Sequence, residues 1–451
     1  MMDQSTEMGG FKRFFSLFFP VLLIAFSGSL SFLVEKILFG SFSTSVMEAA
    51  IAVANIGQVF QLSTVAIAMM SLVFAGQRLG AQDGQSLGPC IWQYIWFALL
   101  STLIVVPIGS LYGMYYLKGT LFHNIVKPYL HLILLINGLY PLGAALSCFY
   151  IAQEKTKLVL FSSICTQLLK ILFAYLLIPA FAHINPVWGL YGGVISTFLS
   201  QVFFIVVLLI GFLSAKNAAQ YDTRQFRLQW NLFWKCIHPG LLRAFSRIST
   251  TICWASIAYL MVSKTETHIL MYSTGAVVFL FLPFLGDALC QTQIVMVAHL
   301  LGAKREAALR AAFRPGTICA YICMGIVAIP LLVMPHVTFA HLFPKISMGS
   351  WAIRSLFAGV WVSFACFTWS YVPIGYILAF KDMLFSVFMG LFGWLNGFVL
   401  MYVLIEKVQI APQYFWLALS LTLGSNGLMY YLRAKWLCAR AVFDVSPIQR
   451  A

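Results

Sequence analysis

Pro20-Val-Leu-Leu-Ile-Ala-Phe-Ser27 recurs as Pro239-Gly-Leu-Leu-Arg-Ala-Phe-Ser246, with six of eight positions identical at an offset of 219. Further along, Leu79-Gly80-Ala81 recurs as Leu301-Gly302-Ala303 at an offset of 222. Two matches in the same order with three residues of drift point to an internal duplication. Each copy opens on an apolar run, so the repeated unit is a set of apolar segments and not a soluble module.

The composition agrees. The 451 residues are 61% hydrophobic, 16% aromatic and only 9% charged, with mean hydropathy +0.90. Such a chain cannot cover itself with a water-exposed surface, which excludes a soluble enzyme, a disordered regulator and a disulfide-stapled secreted module. Runs of about 20 apolar residues, the length that crosses roughly 30 Å of hydrocarbon, recur twelve times. The first runs from Pro20 to Gly40, the seventh from Leu241 to Val262, the eighth from Ile269 to Ala298 and the twelfth from Tyr414 to Leu437. The first is too long for a secretory leader, and it contains Glu35 and Lys36. The ten cysteines form no CxxC pair and mostly lie in apolar runs, which reads as free, structural thiols.

Of the 28 lysines and arginines, 20 fall on one set of loops, six on the other, and Lys36 and Lys170 lie inside spans. The positive-inside rule places both termini in the cytoplasm, and the even number of spans agrees. The net charge of +15 therefore reads as topology and contact with anionic lipid, with no nucleic-acid partner. Because six spans separate the copies, the halves are expected as parallel repeats with a cavity between two six-helix lobes. The expected organisation is a first lobe at 1–215, a cytoplasmic linker at 216–238, and a second lobe with a short tail at 239–451. Within the linker, Phe226, Trp230, Phe233 and Trp234 beside Arg224, Arg227 and Lys235 fit a helix on the cytoplasmic surface, or else an ordinary solvated connection.

Certain stretches resemble a known family. They are Leu33-Val-Glu35-Lys36-Ile-Leu-Phe-Gly40, the Gly-Ala signature after spans two and eight, and the run Leu169-Lys170-Ile-Leu-Phe-Ala174-Tyr-Leu-Leu-Ile178. The last is followed by Gly189-Leu-Tyr-Gly192-Gly-Val-Ile-Ser-Thr197. Together they resemble the MATE (multidrug and toxin extrusion) family over nearly the whole chain. The resemblance implies an all-α membrane protein of twelve transmembrane helices in two parallel six-helix lobes. It further implies a cation-coupled antiporter that exports amphipathic organic compounds by alternating access. The coupling ion is a proton or sodium, no other cofactor is implied, and a monomer in the cell inner membrane is expected.

Ionisable residues deep in spans are expensive, about 2.5 to 3.5 kcal/mol each at a helix centre, and are functional candidates for that reason. Glu35 stands where the MATE pattern usually has a first-span Asp that binds the coupling cation; a structural ion pair is the other reading. Lys170 stands where the pattern commonly has Asn, Ala174 where many members have a second acid, and Thr197 keeps the polar position of span six. The resemblance brings Lys170 near Glu35 and places an ammonium in the family's cation site, which favours proton over sodium coupling or else removes coupling from this lobe. In the second half, Asp287 lies mid-span in Phe284-Leu-Gly-Asp287-Ala, either to attract a cationic substrate or to pair with Arg243 or Arg247. Asn55 and Gln58 on span two, like Gln291 and Gln293 on span eight, are candidates for cavity lining or for interhelical hydrogen bonds. Pro107, Pro141, Pro283, Pro330 and Pro373 are expected to kink spans or to be absorbed by packing.

The rival within transport is a lipid or lipid-linked glycan flippase of the same superfamily, for which Lys36, Lys170, Arg243 and Arg247 are the cationic candidates. A membrane enzyme finds no support: there is no HExxH, GxSxG, Gly-rich phosphate loop or acidic metal cluster, and no catalytic residue is assigned. His336 and His341, five apart at the edge of a span, read as interfacial and not as metal ligands.

Overall fold

A computed structural model describes residues 10–445 apart from 43, 117–122, 263, 306, 307, 345 and 347. The side chains of Lys36 and Asn55 also lie outside the described part. The described chain is mostly helical, and each of the twelve expected segments is a helix, several of them in two pieces. The first half holds α1 (Phe11–Phe42), α2 (Thr44–Ala68), α3 (Met70–Gly80), α4 (Leu87–Tyr116), α5 (His123–Ile136), α6 (Leu139–Ala152), α7 (Thr156–Ala182) and α8 (Gly189–Phe212). A short α9 (Ala215–Tyr221) leads to α10 (Trp230–Val262), α11 (Glu266–Phe281), α12 (Pro283–Gly302), α13 (Phe313–Ala328), α14 (Pro335–Leu342), α15 (Ser350–Ala379), α16 (Met383–Tyr402) and α17 (Phe415–Val445).

Ten helical segments among the described residues are long and apolar enough to cross a membrane. The other two expected spans are α10, of 33 residues, and α17, of 31. Both have the length but carry more polar side chains, among them Arg243, Ser246 and Arg247 in α10 and Ser420, Thr422 and Asn426 in α17.

The prolines act in different ways. Pro107 and Pro373 lie inside the long helices α4 and α15. Pro283 is the first residue of α12 and Pro141 the third of α6, positions whose missing N–H has no intrahelical partner to lose. Pro330 sits in a π turn at Ile329–Val333, where the helical ladder is already irregular. At the break between α5 and α6, a Cβ on Gly138 would run into Thr102 of α4, so the interruption is also a close crossing.

The duplication is visible in backbone geometry. Gln82 and Lys304, each just after a Leu-Gly-Ala copy, are left-handed at φ 59° and 53°. Ala81, Gln82 and Asp83 donate their N–H groups to the carbonyls of Gln77, Leu79 and Arg78; Ala303, Lys304 and Arg305 do the same to His299, Leu301 and Leu300. This is one helix-ending turn built twice. A second pair follows α6 and α15, with Glu154 at φ 63° and Lys381 at φ 58°. A third is the short 3₁₀ turn before α8 and α17, Pro186–Trp188 and Pro412–Tyr414.

The chain divides into two compact units, one of Leu23–Ala244 and one of Met1–Leu22 with Phe245–Ala451. Helices α1 and α10 are each shared between them. In the Leu23–Ala244 unit, α7 packs extensively along α8, and a core of Phe39, Val53, Leu130, Leu134, Ala174, Ile178 and Val194 fills the space beside them. In the other unit α15 packs along α17 and α12, around Val297, Leu309, Tyr376 and Ala434.

The joining segment is not one surface helix. Ser214 caps α9 by accepting the Asn217 N–H, and the chain then runs along α4. Trp92 donates its indole N–H to the Thr223 carbonyl at 2.7 Å and Trp96 to that of Phe226 at 2.9 Å. Gln93 donates to the Arg227 carbonyl and accepts the Gln229 N–H, both at 3.1 Å. Trp230, Phe233 and Trp234 form the first turns of α10, which runs on unbroken into span seven.

Candidate functional site

Glu35 lies in the second half of α1 and Lys170 in the middle of α7, 135 residues apart in sequence. The fold brings them together: Lys170 Nζ donates to Glu35 Oε2 at 2.7 Å, with side chains 12% and 16% exposed. At that distance and an effective dielectric near 20, the gross attraction is about 6 kcal/mol, the same size as the insertion cost of two charges.

The floor of this site is α8. Gly193 approaches α1 so closely that a Cβ would run into the Phe39 ring and stand 3.3 Å from Glu35 Oε1. Its lack of a side chain is therefore what lets Glu35 lie against α8. Thr197 follows one turn later on the same helix and is buried, as are Ser196 and Ser200. Their hydroxyls stay local, with Ser196 donating to the Gly193 carbonyl and Ser200 to that of Thr197. Ala174, one turn beyond Lys170, is in the apolar core, so the position where many MATE members carry a second acid is lined by hydrocarbon. The phenols of Tyr129 and Tyr140 are in electrostatic range of the ion pair. Gln58 is half-buried on α2, and the Asn55 side chain is outside the described residues.

A second group of charges lies in the unit of Phe245–Ala451. Arg247 is the eighteenth of the 33 residues of α10, because that helix begins at Trp230 and not at Leu241. Its guanidinium is in electrostatic range of the Tyr371 hydroxyl and of Asp287. Tyr371 is held against α12: its ring carbons are 3.0 to 3.2 Å from where a Cβ on Gly286 would be. Arg243 is engaged elsewhere, donating to Met70 Sδ at 3.8 Å. Of the two arginines, Arg247 is the neighbour of Asp287.

Gln293 is fully buried, and its amide donates to the Ala312 carbonyl at the start of α13, which makes it a stitch between helices. His336 Nε2 accepts from Arg354 Nε at 3.3 Å, whereas His341 Nδ1 meets the Val337 carbonyl of its own helix. Among the described residues no cluster of three or more metal-ligating side chains occurs, and all ten cysteines are unbridged. Sequence reading missed Gly193 and Tyr371. Tyr371 has no local signal among 19 tyrosines, and Gly193 is one of two adjacent glycines.

Comparison with known proteins places these features. Residues 17–176 match the MatE family model, a stretch that contains both Glu35 and Lys170. A MATE point mutant superimposes with a TM-score of 0.86 at 12% identity, over 98% of this chain and 99% of that one. The chain has the MATE fold. The same coverage holds for a MOP superfamily transporter from Pyrococcus furiosus Vc1, for which a reverse polarity of the binding pocket is described (TM-score 0.82, 13% identity). It holds also for an outward-facing multidrug resistance MATE family transporter of the MOP superfamily (0.79, 13%). No curated protein matches the chain by sequence. On the MATE fold, the ion pair occupies the first and fifth spans and the Arg247 group the seventh, eighth and tenth.

Proposed function

We propose that this membrane transporter is a proton-coupled antiporter that exports amphipathic organic compounds by alternating access, with Glu35 and Lys170 as its coupling site. It works in the cell inner membrane as a monomer with both termini in the cytoplasm. The observation that carries the reading is the 2.7 Å bond between Lys170 Nζ and Glu35 Oε2. A carboxylate in a low-dielectric setting exchanges a cation for its own neutralisation. Here the ammonium stands where a sodium ion would coordinate, which supports a proton as the exchanging cation. A proton arriving on Glu35 removes the charge that holds Lys170, and the freed ammonium must find another acceptor. That change of partner is a two-state event of the kind a transport cycle requires. Thr197, on the helix that floors the site, supplies a polar neighbour, and Gln58 with Asn55 adds amide groups on span two.

The test is dye transport in proteoliposomes under a proton gradient or a sodium gradient applied separately. One pH unit supplies about 1.4 kcal/mol and 100 mV about 2.3 kcal/mol per charge, enough for measurable accumulation. Proton-driven transport is expected in the native chain and lost in Glu35→Gln, with sodium dependence gained in Lys170→Asn. A sodium-dependent activity that survives in Lys170→Ala but vanishes in Glu35→Gln would sink the reading. A second reading, a lipid or lipid-linked flippase, is favoured by one observation, the arginine at mid-length in α10.

A further inference from the structure

The first turns of α10 and the segment before them are held on the first turns of α4 by a row of neighbouring side chains. Trp92, Gln93 and Trp96 donate to the carbonyls of Thr223, Arg227 and Phe226. Tyr94, fully buried among them, donates its hydroxyl to the Cys236 carbonyl of α10 at 2.8 Å. One turn before Tyr94 stands Cys90, the fourth residue of α4, and its Sγ is 3.5 Å from Cys236 Sγ. Both thiols are 0% exposed.

Backbone shields this contact. A Cβ on Gly88 would stand 2.5 Å from the carbonyl oxygens of Tyr221 and Asp222, and one on Gly84 3.0 Å from that of Gln220. Residues 220–229 thus lie directly against the start of α4, and the two glycines are what let them approach. The other sulfur contacts differ in kind. Cys148 Sγ meets the thioether of Met69 at 3.6 Å, and Cys253 Sγ meets the carbonyls of Gly393 and Trp394 at 3.9 and 4.0 Å. None of those partners can form a disulfide, whereas Cys90 and Cys236 can, by closing from 3.5 Å to the bonded distance of about 2.05 Å.

We propose that Cys90 and Cys236 form a redox modification site, at which a hydroperoxide converts the two thiols to a disulfide that staples the start of α10 to α4. In the orientation proposed above the pair stands at the cytoplasmic end of both helices, where thiols are kept reduced, so the bridge forms under oxidative load. Local opening of 220–229 admits the oxidant, and reclosing returns the sulfurs to contact. One sulfur, its proton passing to the leaving oxygen, attacks the hydroperoxide ROOH, so that the O–O bond breaks, ROH leaves and a sulfenic acid forms. The second sulfur then attacks the first; the S–S bond forms, the S–O bond breaks, and the hydroxyl leaves as water with the second thiol's proton. The thiol pair is oxidised and the hydroperoxide reduced to alcohol and water. The helix so tied carries the chain from one compact unit into the other, with Cys236 on the Leu23–Ala244 side. Hydrogen bonds at its first turns break and re-form during a cycle, and a covalent bond does not, so the oxidised transporter is arrested.

The test treats the purified full chain, reconstituted in proteoliposomes, with hydrogen peroxide and then with N-ethylmaleimide. Trypsin cuts after Arg78, Lys118, Lys235 and Arg243, so residues 79–118 and 236–243 are released as peptides with one cysteine each. The expected product is a linked pair about 2 Da lighter than the two free peptides together, found in the monomeric chain and reversed by dithiothreitol. Amide hydrogen exchange across residues 222–240 should slow about tenfold on oxidation. Dye flux should fall at least about fivefold, return with dithiothreitol, and resist peroxide in Cys90→Ser and Cys236→Ser, which cannot bridge. Peroxide that leaves both thiols open to alkylation, or that takes either to a sulfinic acid without a link, overturns the site. A link that leaves exchange and flux unchanged overturns the staple. If a serine variant does not fold, Cys90→Ala and Cys236→Ala serve as the same control, and the peptide map of the native chain decides the bond by itself. The bond and the exchange are read with no ion gradient and no substrate, so their failure is distinct from a failure of the transport reading.

Discussion

Replacing Lys170 by Met removes the ammonium while keeping an unbranched chain of similar bulk, and it leaves Glu35 ionised with no partner in a site only 16% exposed. Removing one member of a buried pair typically costs about 3 to 5 kcal/mol, mostly from the stranded charge. Glu35→Gln strands the ammonium instead and should cost a similar amount, about 3 kcal/mol. The double variant removes both charges, and the gross attraction of about 6 kcal/mol disappears together with the two desolvation terms that oppose it. It should therefore unfold within about 1 to 2 kcal/mol of the native chain, giving a coupling energy of about 3 kcal/mol or more in the cycle. The measurement is unfolding by added SDS in mixed lipid-detergent micelles, followed by tryptophan fluorescence for the four chains. If the two single losses add to within about 0.5 kcal/mol, the residues do not act as a pair and the coupling-site argument fails with them.

The ion pair Lys264–Glu406 has the same 2.7 Å length but is 28% and 29% exposed, so Glu406→Gln should change stability by only about 0 to 1 kcal/mol in the same assay. A loss as large as that of Glu35→Gln would show that distance, and not burial, sets the energy. Gly193→Ala puts a methyl into Phe39 and beside Glu35 Oε1; overpacking of this kind should cost about 1 to 3 kcal/mol and slow transport, and a variant that is native in both would remove Gly193 from the site. Gln82→Gly and Lys304→Gly relieve a left-handed backbone that an L side chain resists, so each should raise unfolding stability by about 0.5 to 1 kcal/mol; a decrease in either would refute the shared-turn reading.

The duplication was legible where its letters had survived and hidden where only geometry had. Leu-Gly-Ala is readable in both halves, and the turn after it is the same turn. The turns at Glu154 and Lys381 are just as alike, yet Gln153-Glu154-Lys155 and Phe380-Lys381-Asp382 share no residue in register, because their hydrogen bonds run between backbone groups that any side chain permits. The helix that carries span seven begins before its apolar run, for a different reason. Trp230 to Lys235 has the mixed aromatic and basic character of a surface helix, and Pro239 looks like a boundary. The proline lies in the helix interior, and the aromatic turns are simply the lower end of a 33-residue helix. Arg247 therefore lies at mid-length of the helix.

Of the site, the sequence disclosed the charges but not their partners. Glu35 and Lys170 were identified by their cost in hydrocarbon, and their approach was expected only through the family resemblance, because nothing local links residues 135 apart. The tyrosine in electrostatic range of Arg247, Tyr371, is an ordinary one, invisible until α10, α12 and α15 are seen together. A carboxylate and an ammonium that meet at 2.7 Å satisfy each other, and well-packed apolar residues at both positions would serve stability as well or better. The proton-coupled cycle proposed above supplies a reason to keep them, because a charged pair can change its protonation or its partner and an apolar pair cannot.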